Sequence, residues 1–542
     1  MRQLLCGTIN VLKTRVFKIS LLLLAPVLSG ALLVLAFPRY DLGWLAWFGL
    51  LPLFFALYGK RPLFGFFLAF LCGISFFSGI FYWTLQVSSY TFLHQVILIV
   101  YLGSYFGFFG LAFSFLTKGL NLTNVFLIAP FLWVSLEFIR SNMGFMAHPW
   151  PLLGHSQVPY LQVIQIASFS GAYGVSFLIV IINSAVAGLI LPLFHRTTAS
   201  VRQPLKTSLE RGAFALAGTA SFFLMVSLAY GVATVSQPIR GNSVKVSVIQ
   251  GNIEQSKKWN PAYLKFIMRT YTDLSQEVSK NRPTLIIWPE AATPLMITKA
   301  PKLHEEVKRM AETSGSYLLL GSSSHEKFKK GEEAEFYNSA FLISPEDKGM
   351  DQRYDKIRLL PFGEYVPLKK IIPWHWINVP NIGNYTPGKE FTVFEGPGFR
   401  FSVNICWETV FPDMVRQFVK NGAQFVVNIT NEAWFGKTAA PYHFLSSNVF
   451  RAVENRIYLV RCANTGVSCF IDPYGRIVDR VKDASGQDIF VRGVLTETII
   501  PMDSKTFYTR YGDWLAWLCI GCSVLFLIIG LSKPKSNLFS IS

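Results

Sequence analysis

Three short segments in the C-terminal half of the chain each place a reactive side chain at the end of a predicted strand or the start of a loop. Residues 284–290 carry an apolar run directly into the carboxylate of Glu290, and residues 400–406 do the same with the thiol of Cys406. Between them, Lys356 begins a loop punctuated by Pro and Gly. Because α/β folds build their sites at strand ends, we expect these three side chains to meet.

A carboxylate, an amine and a thiol together suit acyl transfer. A deprotonated cysteine is the nucleophile, a nearby carboxylate can take its proton, and a cation can stabilise the thiolate and then the oxyanion of the tetrahedral intermediate. The same carboxylate must return the proton to the leaving group, a cycle helped by a pKa raised through burial. Each residue alone is more often structural than reactive, so the prediction depends on their combination.

The remaining cysteines and one histidine are interpreted as structural. The chain has seven cysteines, with no Cys-x-x-Cys pair and no zinc-ligand spacing, so we predict no disulfide framework, no metal and no cofactor. Six cysteines are interpreted as packing residues: Cys6, Cys72, Cys462, Cys469, Cys519 and Cys522. His443 is interpreted as a structural histidine, and residues 435–438 lack the first glycine of a phosphate-binding loop.

The elements that must position the three groups are predicted to form a layered α/β domain over residues 236–513. Short apolar runs rich in β-branched and aromatic residues are bounded there by Gly, Pro and Asn. The predicted strands are 244–250, 284–288, 317–321, 339–344, 400–405, 424–429, 458–463, 468–472 and 490–495. Helical spacing occurs at 261–280 and 443–454. Mostly continuous apolar strands separated by helices predict sheet buried between helices.

The rest of the chain is predicted to lie in a membrane. Of its 542 residues 51% are apolar and 15% are charged, against roughly a quarter charged in an average soluble protein. Apolar stretches that approach the ~20 residues of a spanning helix occur at 19–36, 44–58, 62–82, 92–117, 123–139, 160–194, 212–235 and 514–531. We therefore expect a membrane domain of seven helices over 1–235, a catalytic domain over 236–513, and an eighth helix with a cytoplasmic tail over 514–542.

The positions of the basic residues predict the orientation, because short cytoplasmic loops retain Lys and Arg. With the N-terminus inside, the inner segments carry Arg2, Lys13, Arg15, Lys18, Lys60, Arg61, Lys118, Arg196, Arg202, Lys206, Arg211, Lys533 and Lys535. The short outer loops carry only Arg39 and Arg140. Both termini are therefore predicted to be cytoplasmic and the catalytic domain to lie on the far side. This asymmetry explains the net charge of +18 better than a nucleic-acid partner does.

A transporter would carry ionisable residues in the middle of its spans. Only Glu137 and His94 lie in or near one, and we expect Glu137 to pair with Arg140 at the end of its helix. The first stretch is kept as a helix rather than a cleaved signal, because no small-residue cleavage pattern follows it. The spans are therefore interpreted as an anchor.

Taken together, the Glu, Lys and Cys occur in the order that is found in the nitrilase superfamily, which residues 244–497 resemble. Further matching segments are 337–340, 431–436, 451–458 and 463–466. Seven preceding spans and one following span are not found in soluble nitrilases. The whole chain accordingly resembles the bacterial apolipoprotein N-acyltransferase family.

This resemblance implies an αββα sandwich facing the periplasm of a bacterial inner membrane. It implies transfer of an acyl chain from a phospholipid, such as phosphatidylethanolamine, through a thioester to the α-amino group of a diacylglyceryl-cysteine at the N-terminus of an apolipoprotein. By position, Glu290 would be the general base, Lys356 the oxyanion stabiliser and Cys406 the nucleophile. The resemblance also assigns supporting roles to five further residues: Glu364, Glu408, Trp434, Asn338 and Arg451.

Two positions depart from the family pattern. Trp407 stands where Tyr is common, and Glu432 stands where Asp is usual. We expect both to alter the shape of the pocket and so the preference among acyl chains, with the chemistry retained.

Both implied substrates are anchored in the bilayer, and each buried methylene contributes about 0.8 kcal/mol. The site is therefore expected at the membrane surface, bordered by the aromatic segments 373–377 and 433–435. Two other classes stay open, a membrane-tethered amidase acting on small amides and a lipid or lipoprotein carrier without catalysis. We expect a monomer, since no heptad or isolated strand edge suggests otherwise.

Overall fold

The computed structural model describes residues 20–118, 120–195, 203–326, 334–346, 352–369, 371, 374 and 384–532. Several residues used above lie outside this part of the chain. They are Cys6, four residues of the aromatic segment 373–377, and the basic residues Arg2, Lys13, Arg15, Lys18, Arg196, Arg202, Lys533 and Lys535.

The described part of residues 20–235 is mainly helical. Its α-helices are α1 (Ser20–Leu35), α2 (Leu51–Leu57), α3 (Pro62–Ile80), α4 (Phe92–Leu116), α5 (Leu122–Ser141), α6 (Leu161–Ile164), α7 (Ala167–His195) and α8 (Gln203–Val235). Thr91 caps α4 by accepting from the backbone N–H of His94, so His94 lies in the first turn of that helix.

The part that follows alternates strands and helices. Its strands are β1 (Val244–Gln250), β2 (Leu285–Ile287), β3 (Tyr317–Glu326), β4 (Glu335–Ile343), β5 (Gln352–Asp355), β6 (Phe394–Gly396), β7 (Phe399–Ile405), β8 (Phe425–Thr430), β9 (Tyr458–Ala463), β10 (Cys469–Ile471), β11 (Ile477–Arg480) and β12 (Gly493–Ile499). Its α-helices are α9 (Gln255–Lys258), α10 (Leu264–Ser279), α11 (Pro301–Ser314), α12 (Pro412–Lys420), α13 (Ala440–Asn455), α14 (Phe507–Tyr511) and α15 (Trp514–Ser532).

The strands form two six-stranded sheets, ordered β12-β1-β2-β3-β4-β5 and β11-β10-β9-β8-β7-β6. In each sheet three parallel strands lie at the centre, and they are β1 to β3 in the first sheet and β7 to β9 in the second. The flanking strands are antiparallel. Parallel strands are buried on both faces, which explains their continuous apolar sequences.

Side chains from the two sheets share one core. The Cys462 thiol on β9 donates to the carbonyl oxygens of Ile249 and Ile287, which belong to the other sheet, at 3.3 and 3.2 Å. The opposite face of the first sheet packs against α10 and α11. Helix α10 places Ile267, Tyr271 and other apolar residues on one buried face, as the spacing predicted.

Every predicted strand overlaps an observed one, and both predicted helices are confirmed. Strands β5, β6 and β11 and helices α9, α11, α12 and α14 were not predicted. The three strands are at most four residues long and lie toward the sheet edges. A segment that short carries too little periodicity to be read from sequence.

Six helices of the described chain are long and apolar enough to cross a membrane: Pro62–Ile80, Phe92–Leu116, Thr123–Ser141, Ala167–Leu191, Arg211–Val235 and Trp514–Ser532. Two shorter apolar stretches, Ser20–Leu35 and Gly43–Leu57, fall where the first two spans were predicted. The predicted stretch 160–194 is divided, because α6 is a separate short turn and Gly171 interrupts α7 with a φ of 66°.

Helix α13 links the two halves of the molecule. It is buried over almost its whole length, with the second sheet on one side and α7 on another. Glu454 on α13 accepts from the backbone N–H of Ala172 at 3.0 Å, directly after the break at Gly171. Farther along the contact, Phe444 stacks on Trp150 with ring centroids 4.8 Å apart. The α/β part is thus packed directly on the apolar helices.

Candidate functional site

The structure brings Glu290, Lys356 and Cys406 together between the two sheets. Glu290 follows β2, Lys356 follows β5 and Cys406 follows β7. The Nζ atom of Lys356 lies 3.8 Å from Oε1 of Glu290. Lys356 and Glu290 are 1% and 7% exposed. Three groups that are far apart in sequence therefore share one buried site.

Two donors fix the Glu290 carboxylate. The side-chain amide of Asn338, on β4, donates to Oε1 at 2.9 Å, and the backbone N–H of Asn431, just after β8, donates to Oε2 at 2.8 Å. Each oxygen is thus oriented by a different segment of the fold, one by the middle of β4 and the other by the residue after β8. Such orientation prepares a carboxylate to accept a proton from one direction.

Glu364 binds Lys356 more closely than Glu290 does. The Lys356 ammonium donates to Oε1 of Glu364 at 2.9 Å, and Asn338 donates to the same oxygen at 2.9 Å. The second oxygen of Glu364 accepts from the backbone N–H of Leu360 at 2.7 Å. Burial lowers the pKa of Lys356, but Glu364, Cys406 and Glu290 raise it above its ordinary value, so the amine stays charged.

Glu408 joins the cysteine turn to the lysine loop. Its carboxylate is fully buried and accepts from the backbone N–H groups of Ile357 and Arg358 at 2.8 and 2.9 Å. It also accepts from the N–H of Ile405 at 2.8 Å and from the Tyr354 hydroxyl at 2.9 Å. Burial raises the pKa of Glu408 to about 7, whereas Lys356 and the N–H donors lower it. These contacts connect Glu408 to the backbone that follows Lys356.

Cys406 lies in a tight turn at the end of β7. Its φ of 58° is in the left-handed region, which a non-glycine residue occupies only when its surroundings impose it. The side-chain amide of Asn428 donates to the Cys406 carbonyl oxygen at 3.1 Å. Burial raises the pKa of the Cys406 thiol, Glu290 raises it further, and Lys356 lowers it. The resting group is therefore a thiol, and its ionisation depends on the neighbouring charges.

The other predicted residues differ in how directly they contact Glu290, Lys356 and Cys406. Asn338 bridges Glu290 and Glu364, as described above. Trp434 lies in a short turn after β8 and is 43% exposed. Its neighbour Phe435 packs edge-on against Trp83, with ring centroids 4.8 Å apart. The segment 433–435 therefore contacts the apolar helices through Phe435 and leaves Trp434 accessible.

Arg451 and Glu432 serve packing rather than the reacting groups. Arg451 on α13 is fully buried, donates to Glu454 at 2.8 Å, and also donates to the Val410 carbonyl oxygen. Glu432 is equally buried and accepts from Arg461 at 2.5 Å. The expectation that Glu432 shapes the pocket therefore finds no support in its position.

Trp407 has a clear structural contact. Its indole N–H donates to the Arg358 carbonyl oxygen at 2.7 Å, and its ring packs edge-on against Phe411. The indole of Trp407 therefore helps to hold the loop that follows Lys356.

The residues interpreted as structural behave accordingly. His443 is 2% exposed between the Phe37 and Trp150 rings, and burial lowers its pKa to about 3. Cys462 and Cys469 are fully buried in strands. Glu137 and Arg140 attract each other electrostatically, as expected, but are not in direct hydrogen-bond contact. Glu137 accepts from the N–H of Leu153 at 2.7 Å, and Arg140 donates to the Pro151 carbonyl oxygen at 2.7 Å. The loop that follows α5 therefore binds both side chains.

Sequence reasoning missed Lys258, Asn428 and Asn431 as parts of the site. Asn428 and Asn431 lie at the carboxyl end of β8, next to β7, so the strand-end rule could have found them. Lys258 gave no signal, since it follows the similar Lys257 in a short polar segment. Among the described residues, no group of three or more His, Cys, Asp or Glu could hold a metal ion.

Sequence comparisons agree with this architecture. Residues 245–499 match the carbon-nitrogen hydrolase family, and residues 29–185 match the N-terminal domain of apolipoprotein N-acyltransferase. The chain is 36% identical to the apolipoprotein N-acyltransferase of Geobacter metallireducens, over 92% of this chain and 93% of that protein. It is 30% identical to the enzyme of the same name from Chlorobaculum tepidum, over 94% and 96%.

A nitrilase-like α/β domain packed on membrane helices thus defines the class of protein, an acyltransferase of the carbon-nitrogen hydrolase type. More narrowly, the chain belongs to the apolipoprotein N-acyltransferase family.

Proposed function

We propose that this protein moves an acyl chain from a phospholipid, through a thioester on Cys406, to the free α-amino group of the diacylglyceryl-cysteine that begins an apolipoprotein. One observation carries the proposal. A buried ammonium, Lys356, lies between the carboxylates of Glu290 and Glu364, in electrostatic contact with the Cys406 thiol. Family membership supplies the substrate class, and phosphatidylethanolamine is the donor we favour.

In the first half-reaction Glu290 takes the thiol proton while the sulfur of Cys406 attacks the ester carbonyl carbon. The oxyanion that forms is stabilised by the Lys356 ammonium. The carbon–oxygen bond then breaks, and Glu290 returns the proton to the departing alkoxide. The products are a lysophospholipid and the thioester.

In the second half-reaction the uncharged α-amino group of the acceptor attacks the thioester carbonyl, and Glu290 accepts a proton from the attacking nitrogen. The carbon–sulfur bond breaks and the sulfur takes up that proton. An amide and the original thiol remain. A single carboxylate can serve both halves because it alternates between base and acid.

The same proposal includes the arrangement in the membrane. Eight spans, with residues 1–235 and 514–542 as the membrane parts, would place both termini in the cytoplasm and the 236–513 domain, an αββα sandwich, in the periplasm of the inner membrane. The single described aromatic of segment 373–377, Trp374, donates to the Pro367 carbonyl oxygen. We propose that this loop and Trp434 face lipid, and that the protein acts as a monomer.

The proposal is tested by incubating the purified protein in detergent with phosphatidylethanolamine that carries a radiolabelled acyl chain. We expect a hydroxylamine-labile label on the Cys406 peptide that transfers to a diacylated lipopeptide, but not to the same lipopeptide with its amine acetylated. Cys406→Ala should abolish the label, whereas Cys469→Ala, which removes a buried strand cysteine, should retain it. Release of ammonia from small amides without any lipid label would instead establish an amidase, and absence of both activities would favour a carrier.

A further inference from the structure

Lys258 is a buried lysine that the proposed reaction does not use. It is the last residue of α9 and is only 2% exposed. The adjacent Lys257 is partly exposed and pairs with Glu254 at 2.8 Å. Burying an ammonium without compensation is costly, so the position of Lys258 requires partners inside the protein.

The hydrogen bond that Lys258 makes leads directly to the site. Its Nζ atom donates to the backbone carbonyl oxygen of Glu290 at 2.8 Å. An ammonium has three donors, and within the described chain no carboxylate lies at ion-pairing distance. Burial lowers the pKa of Lys258 to about 8, while the Glu290 carboxylate and the Cys406 thiol raise it. Both reacting groups therefore lie within its electrostatic reach.

The backbone that Lys258 holds is under strain. Ala291, the residue after Glu290, has a φ of 46° in the left-handed region. Gly321 packs so closely that a Cβ atom there would lie 2.7 Å from the Cα of Glu290. A turn pressed between strands in this way needs a donor for its carbonyl group, and Lys258 supplies it.

The charges around the thiol explain why a second cation is useful. Cys406 faces the carboxylates of Glu290 and Glu364 and the ammonium of Lys356. A thiolate that forms in the resting protein, while Glu290 keeps its own charge, would add a third negative charge beside the one ammonium of Lys356. Since buried charges need compensation, one cation is too few.

We propose that Lys258 is a positioning residue of this site, which fixes the Glu290 backbone and acts with Lys356 to stabilise the Cys406 thiolate. Its importance in turnover rests on the proposed function, but its effect on the thiol does not. The ionisation of Cys406 can be measured with no lipid present, so failure of one proposal can be told from failure of the other.

The experiment follows the rate of Cys406 alkylation by iodoacetamide as a function of pH, by mass spectrometry of the full-length protein in detergent. Lys258→Met keeps the apolar stem and removes the charge, and Lys257→Met is the matched control. We expect Lys258→Met to slow alkylation about tenfold below pH 8, where Lys258 is charged, which corresponds to a thiol pKa about one unit higher there, and the two profiles to converge at higher pH. Lys257→Met should leave the profile unchanged.

Lys258→Arg is the second variant. Arginine keeps its charge above pH 8, where Lys258 loses its own, so the profile should move to lower pH than in the wild type. The groups that face the thiol in every variant are Glu290, Lys356, Glu364 and the Thr430 hydroxyl. Unchanged alkylation profiles in both Lys258 variants would overturn the proposal. If Lys258→Met does not fold, the direction of the Lys258→Arg shift decides the question alone.

Discussion

At the scale of single residues, the site is a balance of charges around a thiol that burial keeps protonated. Glu290 and Lys356 act on the Cys406 thiol in opposite directions, the carboxylate raising its pKa and the ammonium lowering it. Because the Glu290 carboxylate repels a thiolate, little thiolate is expected in the resting protein. The thiol proton is expected to leave only while the sulfur attacks its substrate.

Glu290→Gln should therefore have opposite effects in two assays. Acyl labelling of Cys406 should fall by on the order of 10²-fold or more, since general-base catalysis contributes about 10²–10⁴-fold. Alkylation of Cys406 by iodoacetamide at fixed pH should become faster, because loss of the carboxylate lowers the pKa of the thiol. The alkylation profile should still rise with pH, since the thiolate reacts. Slower alkylation in Glu290→Gln would show that Glu290 deprotonates the resting thiol.

Lys356→Ala should reduce acyl labelling by on the order of 10²–10³-fold, the loss expected for one oxyanion stabiliser. It also leaves Glu290 and Glu364 facing each other without their cation, so the pKa of Cys406 should rise and alkylation should slow. Lys369→Ala is the control, because that lysine lies exposed in the same loop. Normal acyl transfer by Lys356→Ala would remove Lys356 from the mechanism.

At the scale of elements, one feature holds the site in place and a second joins the two halves of the molecule. The Glu408 carboxylate draws together β7, β5 and the loop after Lys356. Gly171 breaks α7 where α13 and α14 pack, and a Cβ atom there would lie 2.7 Å from the Tyr508 ring. The Glu408 carboxylate positions the strands and loop that carry the reacting groups. The break at Gly171 positions the α/β part on the apolar helices.

Glu408→Gln should destabilise the protein by about 1–3 kcal/mol, because the amide nitrogen of Gln would face donors where a carboxylate oxygen now accepts. Acyl labelling should fall as well, since the Lys356 loop loses two backbone hydrogen bonds. Thermal unfolding and lipid labelling measure the two effects. Glu395→Gln, at an exposed position on β6, should change neither. Unaltered stability in Glu408→Gln would show that the carboxylate is protonated in the folded state.

Gly171→Ala should lower the melting temperature, because the φ of 66° and ψ of −177° at this position cost a non-glycine residue on the order of 1–3 kcal/mol and because alanine must also displace the Tyr508 ring. The control is Gly521→Ala in α15, where a Cβ atom meets no neighbour. Differential scanning fluorimetry of both variants in the same detergent gives the comparison. Equal melting temperatures would mean that the break in α7 is not needed for packing.

At the scale of the whole molecule, aromatic contacts hold the α/β part on the apolar helices. Trp83 meets Phe435, and Trp150 meets Phe444. Phe435 lies four residues after Asn431, whose N–H orients Glu290. The anchoring contact and the reacting groups are thus joined through one short turn.

Phe435→Ala should cost more stability than Trp434→Ala, although tryptophan is the larger residue, because Phe435 is packed and Trp434 is 43% exposed. A double-mutant cycle of Phe435→Ala with Trp83→Ala should give a coupling of about 0.5–1.5 kcal/mol, typical of an aromatic pair. Thermal unfolding of the four proteins measures it. Additive single effects would mean that the two rings do not support each other.

The sequence by itself determined the chemical groups and the classes of element. Glu290, Lys356 and Cys406 could be recognised because buried strands leave an apolar signature and polar residues mark where they end. The long spans could be recognised because hydrocarbon requires about 20 apolar residues. These signals are local, so a single chain is sufficient to read them.

Only the tertiary structure decided which similar residues belong to the site. Lys258 and Lys257 are adjacent and of one type, yet one is 2% exposed beside Glu290 and the other pairs with Glu254 near the surface. Arg451 lies in a motif shared with the family, yet its partners are Glu454 and Val410. The physical reason is that burial and charge compensation depend on segments that are distant in sequence and meet only when the sheets pack.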